Sequence, residues 1–208
     1  MESKTIPAIL NRIITVIFHP LFMPFYGLLI VFNAPTLFWY IPVKAKIYLF
    51  LIFFIDNLLI PALLMPFFRY RNIISSWKME TRSDRTVPLM AVSLMYAVTS
   101  FILSKLELPV FFKAYSYSVT MLLIAILTIN RWWKISIYSA AAGVVTACVV
   151  TLSIRMSAPL PFLLAATVLV SGLIISSRLR LNRHDPGEVY AGFLTGLLIT
   201  AGFMLLLQ

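Results

Sequence analysis

Residues 135–154 read ISIYSAAAGVVTACVVTLSI, twenty consecutive positions without a charge. As helix, a run of this length crosses about 30 Å, the thickness of a bilayer's hydrocarbon core. Comparable apolar blocks occupy 6–33, 47–68, 87–103, 115–130, 160–176 and 189–207, separated by short basic or proline-bearing stretches. Composition agrees, with 61% hydrophobic and 12% charged residues and a mean hydropathy of +0.96. A water-soluble fold of 208 residues has too little interior for so much apolar surface. Strands of a membrane barrel alternate polar and apolar residues, and these blocks do not. The expected fold is therefore all-α and integral to a membrane, a bundle of six or seven transmembrane helices forming one domain over 1–208. Six applies if the first block is re-entrant. The opening MESKTIPAIL lacks a basic region followed by a cleavage site, so the first block is expected to remain in place.

Within the blocks, Pro20, Pro24, Pro61 and Pro66 each delete a helical hydrogen bond and predict kinks. Asp56 and Asn57 fall near the middle of the second block, where polar groups turn to the bundle interior. His19 lies at a similar depth in the first block, which predicts a hydrogen-bonded His19–Asp56 pair. The lone cysteine, Cys148, sits in an apolar span and reads as packing. Trp39, Tyr40, Trp77, Trp132 and Trp133 fall at block ends, as an interfacial aromatic belt does. Gly143, Gly172, Gly192 and Gly196 predict close helix packing.

Counting seven crossings places the connections 69–86, 131–134 and 177–188 on one membrane face together with the N-terminus. Of the seventeen basic residues, that face carries Lys4, Arg12, Arg69, Arg71, Lys78, Arg82, Arg85, Arg131, Lys134, Arg178, Arg180 and Arg183. Two explanations coexist. The positive-inside rule makes this face cytoplasmic, and converging arginines and lysines make it a site for phosphate, the common anion of lipid headgroups.

One connection carries chemistry. Residues 177–192 read SRLRLNRHDPGEVYAG. Asp185 is a candidate N-cap, Pro186 a first helical residue and Glu188 a first-turn acid, which puts His184 at a helix N-terminus, where free N–H groups favour anions. An imidazole there, oriented by Glu188, is equipped for nucleophilic or acid–base work. In the other long connection, Lys78 and Arg85 are separated by six residues.

Together these segments resemble the type 2 phosphatidic acid phosphatase superfamily. Lys78 and Arg85 match its first motif, with Thr86 where proline is usual. Ser177, Arg178, His184 and Glu188 match its third, with glutamate where aspartate is commoner. The middle motif, proline-serine-glycine-histidine, is degenerate: Ile135, Ser136, Ile137 and Tyr138 stand in its place. The resemblance implies a membrane-embedded phosphatase for a lipid phosphate, such as phosphatidic acid, phosphatidylglycerophosphate or a polyprenyl phosphate or pyrophosphate. His184 would attack phosphorus, Glu188 would orient its ring, and Lys78, Arg85, Ser136 and Arg178 would hold phosphoryl oxygens. Tyr138 would occupy the place of the histidine that protonates the leaving group. No cofactor or metal is implied. The expected partners are the bilayer and a lipid phosphate, not nucleic acid, and the expected location is a bacterial plasma membrane.

A tyrosine is a poor proton donor compared with an imidazolium. Counted down a continuous first helix, the only other histidine, His19, is roughly 20 Å below the basic face and too deep to help. Asp84, Asp185 or a water are the remaining candidate donors. The alternative functions are a weakly active or inactive protein binding the same headgroups, and a small transporter with Asp56 on its pathway.

Overall fold

Hydrocarbon offers backbone amides no partner, so each apolar block closes its own hydrogen bonds as helix. A computed structural model describes residues 6–76 and 81–207, and the described residues form helices and turns with no strand. In chain order the α-helices are α1 (Ile6–Ile17), α2 (Met23–Asn33), α3 (Val43–Phe54), α4 (Ile60–Tyr70), α5 (Arg82–Lys105), α6 (Val110–Ile129), α7 (Ile137–Arg155), α8 (Pro161–Arg180) and α9 (Pro186–Leu206). A π-helical turn, Ile55–Leu59, joins α3 to α4 in one continuous helix. Six helices are long and apolar enough to cross a membrane: Val43–Tyr70, α5, α6, α7, α8 and α9. They mark the chain as an integral membrane protein.

The first block is not the continuous helix expected of it. Pro20 has no N–H, and a residue preceding proline avoids the helical region. The chain accordingly leaves α1 after twelve residues, turns through 18–22 and restarts as the eleven-residue α2. Both pieces are shorter than the hydrocarbon core at 1.5 Å per residue. Pro24 is tolerated in the first turn of α2, and Pro61 in the first turn of α4, directly after the π turn that absorbs its missing donor. Pro66 lies inside α4 without ending it.

The predicted His19–Asp56 pair does not form. The Asp56 carboxylate accepts from the Thr99 hydroxyl at 3.1 Å, and Thr99 also bonds Asn57, so the polar centre of the second block is satisfied by α5. His19 Nδ1 instead accepts the Leu21 N–H at 3.3 Å within the elbow between α1 and α2.

The charge-free stretch 135–154 becomes α7, the most enclosed of the six long helices, and α9 packs against it most closely. Glycines permit that approach. A Cβ on Gly196 would fall 2.0 Å from the Ala140 carbonyl oxygen, one on Gly192 2.5 Å from that of Ser136, and one on Gly143 2.3 Å from that of Phe193. The Gly192–Gly196 spacing is therefore spent inside the bundle, whereas Gly172 meets nothing. Since backbone must move to admit the methyl, Gly196→Ala should cost about 1–3 kcal/mol or more of stability. Thermal unfolding in detergent should show it, with Gly202→Ala, which meets nothing within 4 Å, as the neutral control. Cys148 is buried in the core, as expected of a packing residue.

The basic connections converge. Arg82 donates to the Trp132 carbonyl at 2.7 Å, and the Asn130 amide donates to the Arg82 carbonyl at 3.0 Å, tying the start of α5 to the α6–α7 connection. The Ser136 N–H donates to the Glu188 carbonyl at 3.0 Å, tying the start of α7 to the start of α9. At the other end of the bundle Arg155 reaches the Leu207 carbonyl. Trp39, Tyr40, Trp132 and Trp133 are exposed at helix ends, where a belt residue should be. Trp77 lies outside the described residues.

Candidate active site

The third-motif residues are positioned by how α8 stops and α9 starts. Asn182 takes a positive φ of 49°, which asparagine tolerates better than most residues. Its N–H bonds Leu179 O at 2.9 Å, and the Arg183 N–H bonds Arg178 O at 3.2 Å, the paired pattern that closes a helix C-terminus. The chain then reverses through His184 and re-enters helix at Pro186. Asp185 holds the extended N-cap conformation but makes no side-chain cap bond. Arg178 in the last turn of α8, His184 in the connection and Glu188 in the first turn of α9 are thereby gathered.

His184 and Glu188 pair directly, with Nδ1 and a carboxylate oxygen 2.5 Å apart. The expected orienting role of Glu188 thus has its geometry. With the carboxylate accepting, Nδ1 carries a proton. Burial pushes the imidazole down, to about 3, and the Arg85, Arg178 and Lys134 charges push the same way, against a hydrogen bond with the Lys134 backbone. Burial and these charges favour the neutral ring, the form a nitrogen nucleophile needs.

Arg178 is only 8% exposed. Its guanidinium stacks on the Tyr138 ring, 4.3 Å from the centroid, and its Nε–H is buried with no hydrogen-bond partner. Arg85 lies within electrostatic reach of Glu188 and Tyr138.

Behind these residues a cavity of about 740 Å³ runs into the bundle. Arg12, Arg85, Arg178, Arg183 and His184 line its mouth, and its deeper walls are Pro88, Val92 and Tyr96 of α5, Tyr115, Val119 and Leu122 of α6, and Val144 of α7. Tyr96 is eleven positions beyond Arg85 along α5, so the apolar part reaches about 16 Å below the arginines. A cationic mouth over an apolar shaft fits an amphiphile with an anionic head.

No protein-family model, no curated protein and no solved structure matches this chain.

Of the residues singled out in the sequence, Arg85, Tyr138, Arg178 and His184 share this cavity, with Glu188 behind the histidine. Lys78 lies outside the described residues. Ser136 is not on the cavity wall: it is fully buried as the N-cap of α7, where its hydroxyl accepts from the Ser139 N–H at 3.4 Å and the Ser139 hydroxyl at 3.0 Å. Tyr138 is a platform for Arg178. The candidate donors also separate. Asp84 is occupied by the Ser75 N–H and hydroxyl at 2.8 and 2.5 Å, and Asp185 is exposed away from the cavity wall. Among the described residues no cluster of three or more histidine, cysteine or acidic side chains is arranged to hold a metal ion.

Arg12 and Arg183, read in the sequence only as charges of the basic face, line the same cavity, and so does His19, which sequence reasoning had excluded as too deep. The depth assigned to His19 assumed an unbroken helix. Because the chain breaks at Pro20, the ring sits against Tyr138 in the first turn of α7, with centroids 5.5 Å apart and planes at 82°. The His19-Pro20 dipeptide, with Pro24 following, was the available signal for a break rather than a kink.

Proposed function

We propose that this protein is a membrane phosphatase that hydrolyses the phosphate ester of a lipid, with His184 as nucleophile. The observation that carries the reading is Arg178, a buried guanidinium with an orphaned Nε–H at the mouth of an apolar shaft. A charge removed from water costs several kcal/mol unless a counter-charge meets it. A phosphoryl group at this mouth provides the counter-charge, and its fork geometry suits arginine. The apolar shaft then takes the hydrocarbon tail.

In the reaction, the His184 nitrogen opposite Glu188 forms a bond to phosphorus and the bond to the lipid oxygen breaks. Arg85 and Arg178 stabilise charge on the equatorial oxygens, which is most of what phosphoryl transfer asks of a protein. Water then releases phosphate from the histidine. The resemblance of Lys78, Arg85, Arg178, His184 and Glu188 to the type 2 phosphatidic acid phosphatase motifs supports the same reading. So does the basic face, which in a bacterial plasma membrane would meet lipid headgroups.

The substitution of Tyr138 for the motif histidine favours a second reading, a protein that binds lipid phosphates without turning them over. Purified protein in detergent, offered phosphatidic acid, phosphatidylglycerophosphate and undecaprenyl pyrophosphate, separates the two. Phosphate release from at least one substrate supports the enzyme. Binding without release supports the second reading, and neither binding nor release removes both.

A further inference from the structure

We infer that His19, from the elbow between α1 and α2, is the general acid that protonates the leaving lipid oxygen, so that the proton donor comes from a different part of the chain than the position held by Tyr138. This rests on the proposed phosphatase reading and adds the missing half of its chemistry.

The geometry supplies three observations. His19 lines the same cavity as Arg178 and His184. Its ring stands edge-on to Tyr138, and the Arg178 guanidinium stacks on that same ring, so histidine and arginine flank one aromatic at the cavity mouth. Finally, the ring is held. Nδ1 accepts from Leu21 N–H at 3.3 Å, Phe22 packs at 71° with centroids 6.3 Å apart, and the Tyr26 hydroxyl bonds the Ile17 carbonyl at 2.9 Å across the elbow. With Nδ1 accepting, the ring is the neutral tautomer with its one proton on Nε2. Taking up a second proton at Nδ1, from the arriving phosphate monoanion, gives up the Leu21 bond and leaves Nε2–H as the proton to deliver.

The proton balance closes over two steps. In the first, the His184 nitrogen bonds phosphorus, the phosphorus–oxygen bond to the lipid breaks with its electron pair on oxygen, and protonated His19 gives that oxygen the proton from Nε2. The lipid alcohol leaves. In the second, a water oxygen bonds phosphorus and its proton passes to His19, while the nitrogen–phosphorus pair returns to His184 and phosphate leaves. Burial, and after it the Arg178 charge, push the His19 imidazole below its usual value, and an arriving phosphoryl dianion acts the other way.

Leaving-group chemistry tests this. An alkyl alkoxide is a poor leaving group and needs the proton, whereas 4-nitrophenolate does not. His19→Gln should lower turnover of dodecyl phosphate by about 10²- to 10⁴-fold, and turnover of 4-nitrophenyl phosphate by less than about tenfold. Retained aryl turnover is itself the control for folding. In His19→Gly, added imidazole should restore part of the dodecyl phosphate turnover, a recovery that a structural role does not give. An equal loss on both substrates without imidazole rescue, or no loss on either, overturns the assignment while leaving the phosphatase reading in place. Failure of the unaltered protein to hydrolyse either substrate overturns both.

Discussion

On the proposed reading, replacing His184 by alanine should abolish phosphate release from a lipid phosphate, a fall of at least about 10³-fold, because the proposed nucleophile is removed and water has no activated substitute at that position. The expectation follows from the state of the ring. Burial and the neighbouring Arg85, Arg178 and Lys134 charges favour its neutral form. Glu188 accepts from Nδ1 across 2.5 Å, which turns the other ring nitrogen away from the carboxylate. Glu188→Gln preserves the shape of that contact but not its charge, and should cause a smaller loss than His184→Ala. Both are read as phosphate released from detergent-solubilised lipid, with the elution profile on size exclusion as the check on folding. Unchanged release from His184→Ala would remove the histidine from the chemistry.

The second large effect is at Arg178. Arg178→Met should lower kcat/KM by about 10²- to 10³-fold, the scale seen when one donor to a developing oxyanion is lost. Stability should move the other way. The guanidinium is 8% exposed, and its Nε–H is unpartnered. An apolar residue of similar length removes a desolvation cost, so unfolding in detergent should be unchanged or harder. Arg178→Lys should not restore activity, since an ammonium neither stacks flat on Tyr138 nor forks onto two oxygens. Arg180, two residues on and exposed, is the control: Arg180→Met should leave activity within a few fold. A loss of stability with no loss of activity in Arg178→Met would make the arginine structural.

The periodicity of this sequence says little, and the lengths of its apolar blocks say most. Five of the seven blocks became single long helices because hydrocarbon leaves a charge-free run no alternative to helix. The second, interrupted only by a π turn before Pro61, remained continuous. The first failed as a span at His19-Pro20, where local backbone chemistry outweighed hydropathy. That single break put His19 against Tyr138 in the first turn of α7 and not beside Asp56, and so undid the expected pairing. Arg178, His184 and Glu188 were legible because one helix end, one tight connection and one helix start bring them together within eleven residues. Ser136 lies off the cavity wall, and Tyr138 lines it beneath Arg178. A residue's alignment to a motif does not say that its hydroxyl will be spent capping α7 or that its ring will carry a guanidinium. The cavity could not be read at all, since it exists only where α2, α4, α5, α6 and α7 leave space between them.

The measurement that bears most directly on the central claim is covalent trapping. The protein is mixed with a ³²P-labelled lipid phosphate, quenched in alkali and digested, and the labelled peptide is identified. A phosphoramidate is stable in alkali and labile in acid, so the label should survive the quench, map to His184 and be missing from His184→Ala. Phosphate release without any labelled chain, label on another residue, or neither label nor release would contradict the account.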